Sequence, residues 1–152
     1  MKETKGIKEL IDMLNHAIEL ENAAHLQYAS HAELVSGLNA EPLIARLREI
    51  ADDELKHQKK LRTLIAGYLG GVPSMGIAET HQLKTGKIEE ILQVAIKGEK
   101  EGVDFYTKIM GKIKDEKANL TYSFWTLEHE LRHFIMDEEE HISELSTLLS
   151  QK

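Results

Sequence analysis

Seven residues carry the chemistry this sequence could perform: Glu21, His25, Glu54, His57, Glu99, Glu138 and His141. Each stands where a helical apolar seam would otherwise continue. Glu54 and His57 are three apart, and Glu138 and His141 repeat that spacing. Residues i and i+3 project from one helical face, so each pair can grip a single ion. Glu21 and Glu99 add one carboxylate each, and each precedes a tyrosine, Tyr28 and Tyr106, by seven positions. An oxygen-rich set with one imidazole per ion suits iron or manganese. Four carboxylates also offset the charge of two divalent cations, which removes the main objection to burying them. A metal-free network of buried salt bridges fails on sign. No Lys or Arg shares the seams, so the like charges would repel and force protonation.

Long helices must position such a set. Gly and Pro break the chain at Ser36–Pro42 and at Gly70–Gly86, and the polar run Lys114–Asn119 makes a third break. The four segments between, about 4–36, 42–69, 87–114 and 119–150, each carry apolar residues at alternating three and four spacing. The first seam runs Ile7, Ile11, Leu14, Ile18, Tyr28, Ala32 and Val35, and the second runs Leu43, Leu47, Ile50, Leu61, Leu64 and Tyr68. Four such seams predict an all-α four-helix bundle. The two short links make antiparallel hairpins. The central link of about 17 residues can run back along the whole bundle. Each hairpin pairs a Glu-x6-Tyr with a Glu-x-x-His in phase with its seam, which reads as two copies of one unit related by a pseudo-two-fold axis.

Composition bounds the rest. A chain of 152 residues is one domain, 1–152. The absence of cysteine excludes disulfides, thiolate zinc sites, iron–sulfur clusters and cysteine nucleophiles. A formal charge of −7 argues against nucleic acid and anionic membranes as partners. There is no 18-residue apolar run and no signal-peptide core, so the sequence predicts a cytoplasmic protein.

The stretch Glu21-Asn22-Ala23-Ala24-His25-Leu26-Gln27-Tyr28 resembles the first-helix motif of bacterioferritins and related ferritin-like proteins. Asp53-Glu54-Leu55-Lys56-His57 resembles their second-helix motif, and Asp137-Glu138-Glu139-Glu140-His141 their fourth. Leu69-Gly70-Gly71-Val72-Pro73 is similar to the end of their second helix. The resemblance implies a ferritin-like bundle holding two iron ions, with manganese or zinc as alternatives. Glu54 and Glu138 would bridge the metals, Glu21 and Glu99 would be terminal ligands, and His57 and His141 would each bind one ion. These glutamates would be the catalytic groups of a ferroxidase that stores iron, taking Fe(II) and either O₂ or H₂O₂. Tyr28 and Tyr106 would each hold the glutamate of the opposite hairpin. The alternatives are a non-storage oxidase or peroxidase of rubrerythrin type and a bundle that metal merely stiffens. Leu55 stands where bacterioferritins carry their haem-ligand methionine, so no haem is expected. Too few residues follow His141 for the extra C-terminal helix of 24-subunit ferritins. The expected assembly is therefore a homo-oligomer, a dimer or a cage smaller than a 24-mer.

Several residues fall outside this set. His25 is an additional ligand or a histidine bonded to a neighbouring polar group. A further Glu-x-x-His, Glu130 with His133, and the adjacent His129 sit one residue off the last seam. That is about 100° of rotation, which turns them toward solvent or an interface. The long run from Asn119 to Glu138 means that the last helix overhangs the bundle or that its first turns belong to the loop. Phe124 and Trp125 are expected to pack against another subunit. His16, His31 and His81 are expected at the surface.

Overall fold

The computed structural model describes residues 3–80 and 83–150. Four helices dominate it: α1 (Lys5–Leu34), α2 (Ala40–Thr63), α3 (Ile88–Asp115) and α4 (Phe124–Ser150). No strand occurs among the described residues. None of their helices is long and apolar enough to cross a membrane.

The helix ends follow local chemistry. At the start of α1 the Thr4 hydroxyl accepts from the Ile7 amide at 3.1 Å, satisfying one of the orphan donors of the first turn. α2 starts two residues ahead of Pro42, not at it. Proline is tolerated in a first turn, where its missing N–H has no helical partner to lose. Asn39 takes the left-handed conformation that sets this start (φ 66°). The last turn of α2 opens into a π-helical turn over Leu64–Tyr68. Its extra residue rotates the seam, so Tyr68 is 39% exposed and Leu69 takes the buried place. α4 begins at Phe124, later than the sequence predicts. Lys117–Asn119 form a short 3-10 turn, and Tyr122 bends the chain at φ 66°. The first turns assigned to this helix therefore belong to the loop.

α1 packs mainly on α2 and α3 on α4, each pair antiparallel. The described parts of the connection, 69–80 and 83–87, return along the flank of α1. Asn15 holds it by donating to the Val72 carbonyl at 3.0 Å and accepting from the Ser74 amide at 2.7 Å. Ser74 Oγ donates to Glu19 at 2.5 Å, and Asn22 donates to the Gly76 carbonyl at 2.8 Å. At the far end the Ser36 amide donates to the Gly86 carbonyl at 3.1 Å. Gly86 lies so close that a Cβ there would stand 2.1 Å from the Leu34 carbonyl oxygen, and only glycine fits. α1 and α4 thus run one way, and α2 and α3 the other.

The interior is two apolar clusters separated by a polar waist. One joins Ile7–Ile18 of α1 to Leu61–Leu69, Ile109, Ile113, Leu127, Leu131 and Phe134. The other joins Tyr28, Ala32, Leu43, Leu47, Ile50, Ile91, Leu92 and Leu145. Each fully buried Leu or Ile contributes about 1.5–3 kcal/mol, and these residues hold the waist in place. Two expectations change here. His31 is not at the surface but 1% exposed, because it shares the inward face of α1 with Tyr28 and Ala32. Phe124 belongs to the core, whereas its neighbour Trp125 is 70% exposed beneath the Lys117 ammonium. His16 is exposed and meets Phe105 edge-on. His81 lies outside the described residues.

Candidate metal centre

Glu21, Glu54, His57, Glu99, Glu138 and His141 meet at the waist, all at most 5% exposed. They form two overlapping groups. Glu21, Glu54, His57 and Glu138 each offer a donor atom, all within 4.8 Å of one another, and so do Glu54, Glu99, Glu138 and His141. Glu54 and Glu138 belong to both groups. Among the described residues no Lys or Arg forms an ion pair with any of the four glutamates. The only cationic partners are the two imidazoles.

The two histidines are held alike. His57 Nε2 donates to Asp137 Oδ2 at 2.8 Å, and His141 Nε2 donates to Asp53 Oδ2 at 2.9 Å. An ionised carboxylate only accepts, so the proton sits on Nε2 and Nδ1 faces the waist. His57 Nδ1 is 3.2 Å from Glu21 Oε2 and 3.6 Å from Glu138 Oε1. His141 Nδ1 is 3.4 Å from Glu99 Oε2 and 3.5 Å from Glu54 Oε1. Asp53 and Asp137 are the functional partners that sequence reasoning passed over. Their signal was present: each aspartate immediately precedes the glutamate of a Glu-x-x-His pair.

The tyrosines break the symmetry. Tyr28 Oη of α1 donates to Glu99 Oε1 of α3 at 2.6 Å. Tyr106 mirrors it and feels the Glu21 charge, but its hydroxyl falls short of hydrogen-bond geometry and has no partner. His25 does not join the cluster. Its Nδ1 donates to the Ala51 carbonyl of α2 at 2.8 Å.

Burial and like charge strain the protonation of this centre. Burial, then the charges of Glu138 and Glu21, push Glu54 well above the usual carboxylate range. Burial also pushes Glu138 up, but hydrogen bonds from His141 and His57 outweigh it and hold this carboxyl below its ordinary value. Burial lowers His57, yet hydrogen bonds to Asp137, Glu138 and Glu21 reverse this and push it up to about 12. His141 is raised in the same way, by Glu138 and Asp53 against burial. Without cations, burial and like charge thus favour the proton on Glu54, while the two imidazoles favour charge on themselves and on Glu138. Glu54 Oε1 is left without a hydrogen-bond partner. This donor set fits a pair of divalent ions, which would replace protons and satisfy the orphaned oxygen together.

A cavity of about 360 Å³ reaches this centre between α1 and α3. Ala23, Ala24, Ala95, Gly98 and Gly102 leave the space, and Glu79 and Thr80 of the crossover border it. A Cβ on Gly102 would sit 3.4 Å from Glu138 Cδ, in van der Waals contact with the carboxylate.

Solved structures share this architecture. A ferritin-like diiron-carboxylate protein from Bacillus anthracis is 29% identical, with a TM-score of 0.85 over 97% of this chain and 99% of that one. A dodecameric thioferritin from Bacteroides fragilis, a bacterioferritin-related protein, is 24% identical (TM-score 0.82), covering 95% of this chain and 86% of its own. The bacterioferritin of Rhodobacter capsulatus, solved with haem iron and a metal-free dinuclear site, is 22% identical (TM-score 0.80). The match covers 99% of this chain and 88% of that one. Among curated protein sequences no significant match was found. A family model described as Ferritin-like domain matches residues 11–152, so this four-helix chain with a carboxylate waist belongs to the ferritin-like family.

Proposed function

We propose that the chain is a ferroxidase that takes Fe(II) into the waist, oxidises it with O₂ or H₂O₂, and stores the ferric product inside a homo-oligomer. One observation carries this reading: two four-residue donor groups overlap on Glu54 and Glu138. Glu21 and His57 would hold one ion, Glu99 and His141 the other, and the shared glutamates would bridge them. Two Fe(II) held there would each give one electron, and the oxidant would take both with two protons, O₂ leaving as H₂O₂ or H₂O₂ as two waters. The chain supplies everything else. Asp137 and Asp53 keep Nε2 protonated and present the Nδ1 lone pairs inward. The four carboxylates offset the incoming charge, and Tyr28 fixes Glu99. The α1–α3 cavity admits a small oxidant while the two apolar clusters exclude bulk water. The dodecameric assembly of the Bacteroides fragilis protein supports a homo-oligomer here.

Anaerobic titration should load about two Fe(II) per chain, and stopped-flow absorbance should show fast oxidation that Glu54→Ala abolishes. Normal oxidation by that variant overturns the reading. Sizing then separates storage from a rubrerythrin-type oxidase, because a dimer cannot enclose a mineral.

A further inference from the structure

A second cavity, about 310 Å³ between α2 and α4, holds chemistry that the buried centre does not use. His129 and His133 border it, one turn apart on the exposed face of α4, with ring centroids 4.4 Å apart. Neither ring makes a hydrogen bond among the described residues. Asp137 continues the same edge of the helix one turn on. Its Oδ2 is engaged by His57 and its side chain is 46% exposed.

Two imidazoles at i and i+4 project together, so both can donate a nitrogen to one ion. Neutral imidazole pairs favour borderline transition metals over hard cations. The cavity also carries lysines, which would oppose a cation. Lys60, however, lies 3.6 Å from Glu130 and is offset by it. Lys56 is exposed, so its ammonium is free to swing into solvent.

We propose that His129 and His133 form a surface site for one divalent transition-metal ion, separate from the buried centre. The ion would stand on the solvent side of the Asp137–His57 hydrogen bond, close to the group that orients one buried ligand. The inference does not depend on the buried centre being filled.

Calorimetric titration of the full chain with Zn²⁺ tests it. The parent should bind about one ion per chain more than His129→Ala/His133→Ala, whatever number the buried centre takes. Either single substitution should weaken that ion roughly tenfold or more, since the second donor adds a local chelate. Because both residues are exposed, thermal melting of the metal-free variants should match the parent. Should the double variant precipitate, His133→Gln reads the site instead as an affinity at least about tenfold weaker than the parent's, and an unchanged affinity overturns the proposal. Zn²⁺-soaked crystals should show an anomalous peak about 2.0–2.1 Å from one nitrogen of each ring. Equal stoichiometry in parent and variant, or no peak between the rings, overturns the proposal. Failure of the buried centre alone would lower both counts equally and leave the difference intact.

Discussion

Asp137 touches none of the donor atoms at the waist, yet removing its carboxylate should weaken one ion and spare the other. The hydrogen bond from His57 Nε2 to Asp137 Oδ2 is 2.8 Å long and charge-assisted. In metal centres the loss of such an outer partner lowers affinity about 10- to 100-fold, or roughly 1.4–2.7 kcal/mol. Asp137 is 46% exposed, so water compensates part of the loss and the lower half of that range applies. The other ion keeps its affinity, because His141 is held by Asp53 at 2.9 Å instead. Anaerobic Co²⁺ titration of Asp137→Ala should therefore resolve one parent-like and one weakened ion. Asp53→Ala should do the reverse, weakening the ion at His141. Asp137→Asn retains an acceptor oxygen and should fall between parent and alanine. If Asp137→Ala leaves both affinities unchanged, the outward hydrogen bond does not position His57 and the reasoning fails.

Other consequences are as direct. Loading both ions at a hundred times their dissociation constants should stabilise the fold by about 2.7 kcal/mol per ion and raise Tm by roughly 10–20 °C; calorimetry after chelator treatment should reverse the gain. Tyr28→Phe removes the donor that meets Glu99 and should cost about 1–3 kcal/mol of stability in the chemical denaturation of metal-free protein. Tyr106→Phe removes an unpartnered hydroxyl and should cost less, so equal losses would contradict the asymmetry seen here. The metal-free protein should lose stability as pH rises above about 6.5. The folded state holds protons on His57, up to about 12, that the unfolded chain has released. Glu54 holds its proton above the usual range and acts in the same direction. Metal uptake should release protons and tighten as pH rises, which a pH-stat titration reads directly. A Tm of the metal-free protein that climbs through this window would refute the protonation scheme.

The bundle and the waist were legible because polar residues interrupt otherwise regular apolar seams. Glu21, Glu54, Glu99 and Glu138 occupy places that Leu or Ile would take, and the structure buries all four there. The later start of α4 was less legible. Seam spacing continues through Leu120 and Phe124, both buried, while the backbone between them is a turn. Tyr68 misled for the opposite reason: the π-helical turn adds a residue, and period-counting cannot register it. His31 sits at a helical interval from Tyr28 and faces inward, but its polarity argued for the surface. Asp53 and Asp137 lie just off the seams, so periodicity assigned them no part. Their place just before each Glu-x-x-His pair was the one hint, and the direction of the imidazole Nε2 atoms gives it meaning.

Anomalous diffraction from crystals loaded anaerobically with Fe(II) tests the central claim most directly. Two iron peaks per chain are predicted, one among Glu21, Glu54, His57 and Glu138, the other among Glu54, Glu99, Glu138 and His141. A single peak, or none among these six side chains, would contradict the account.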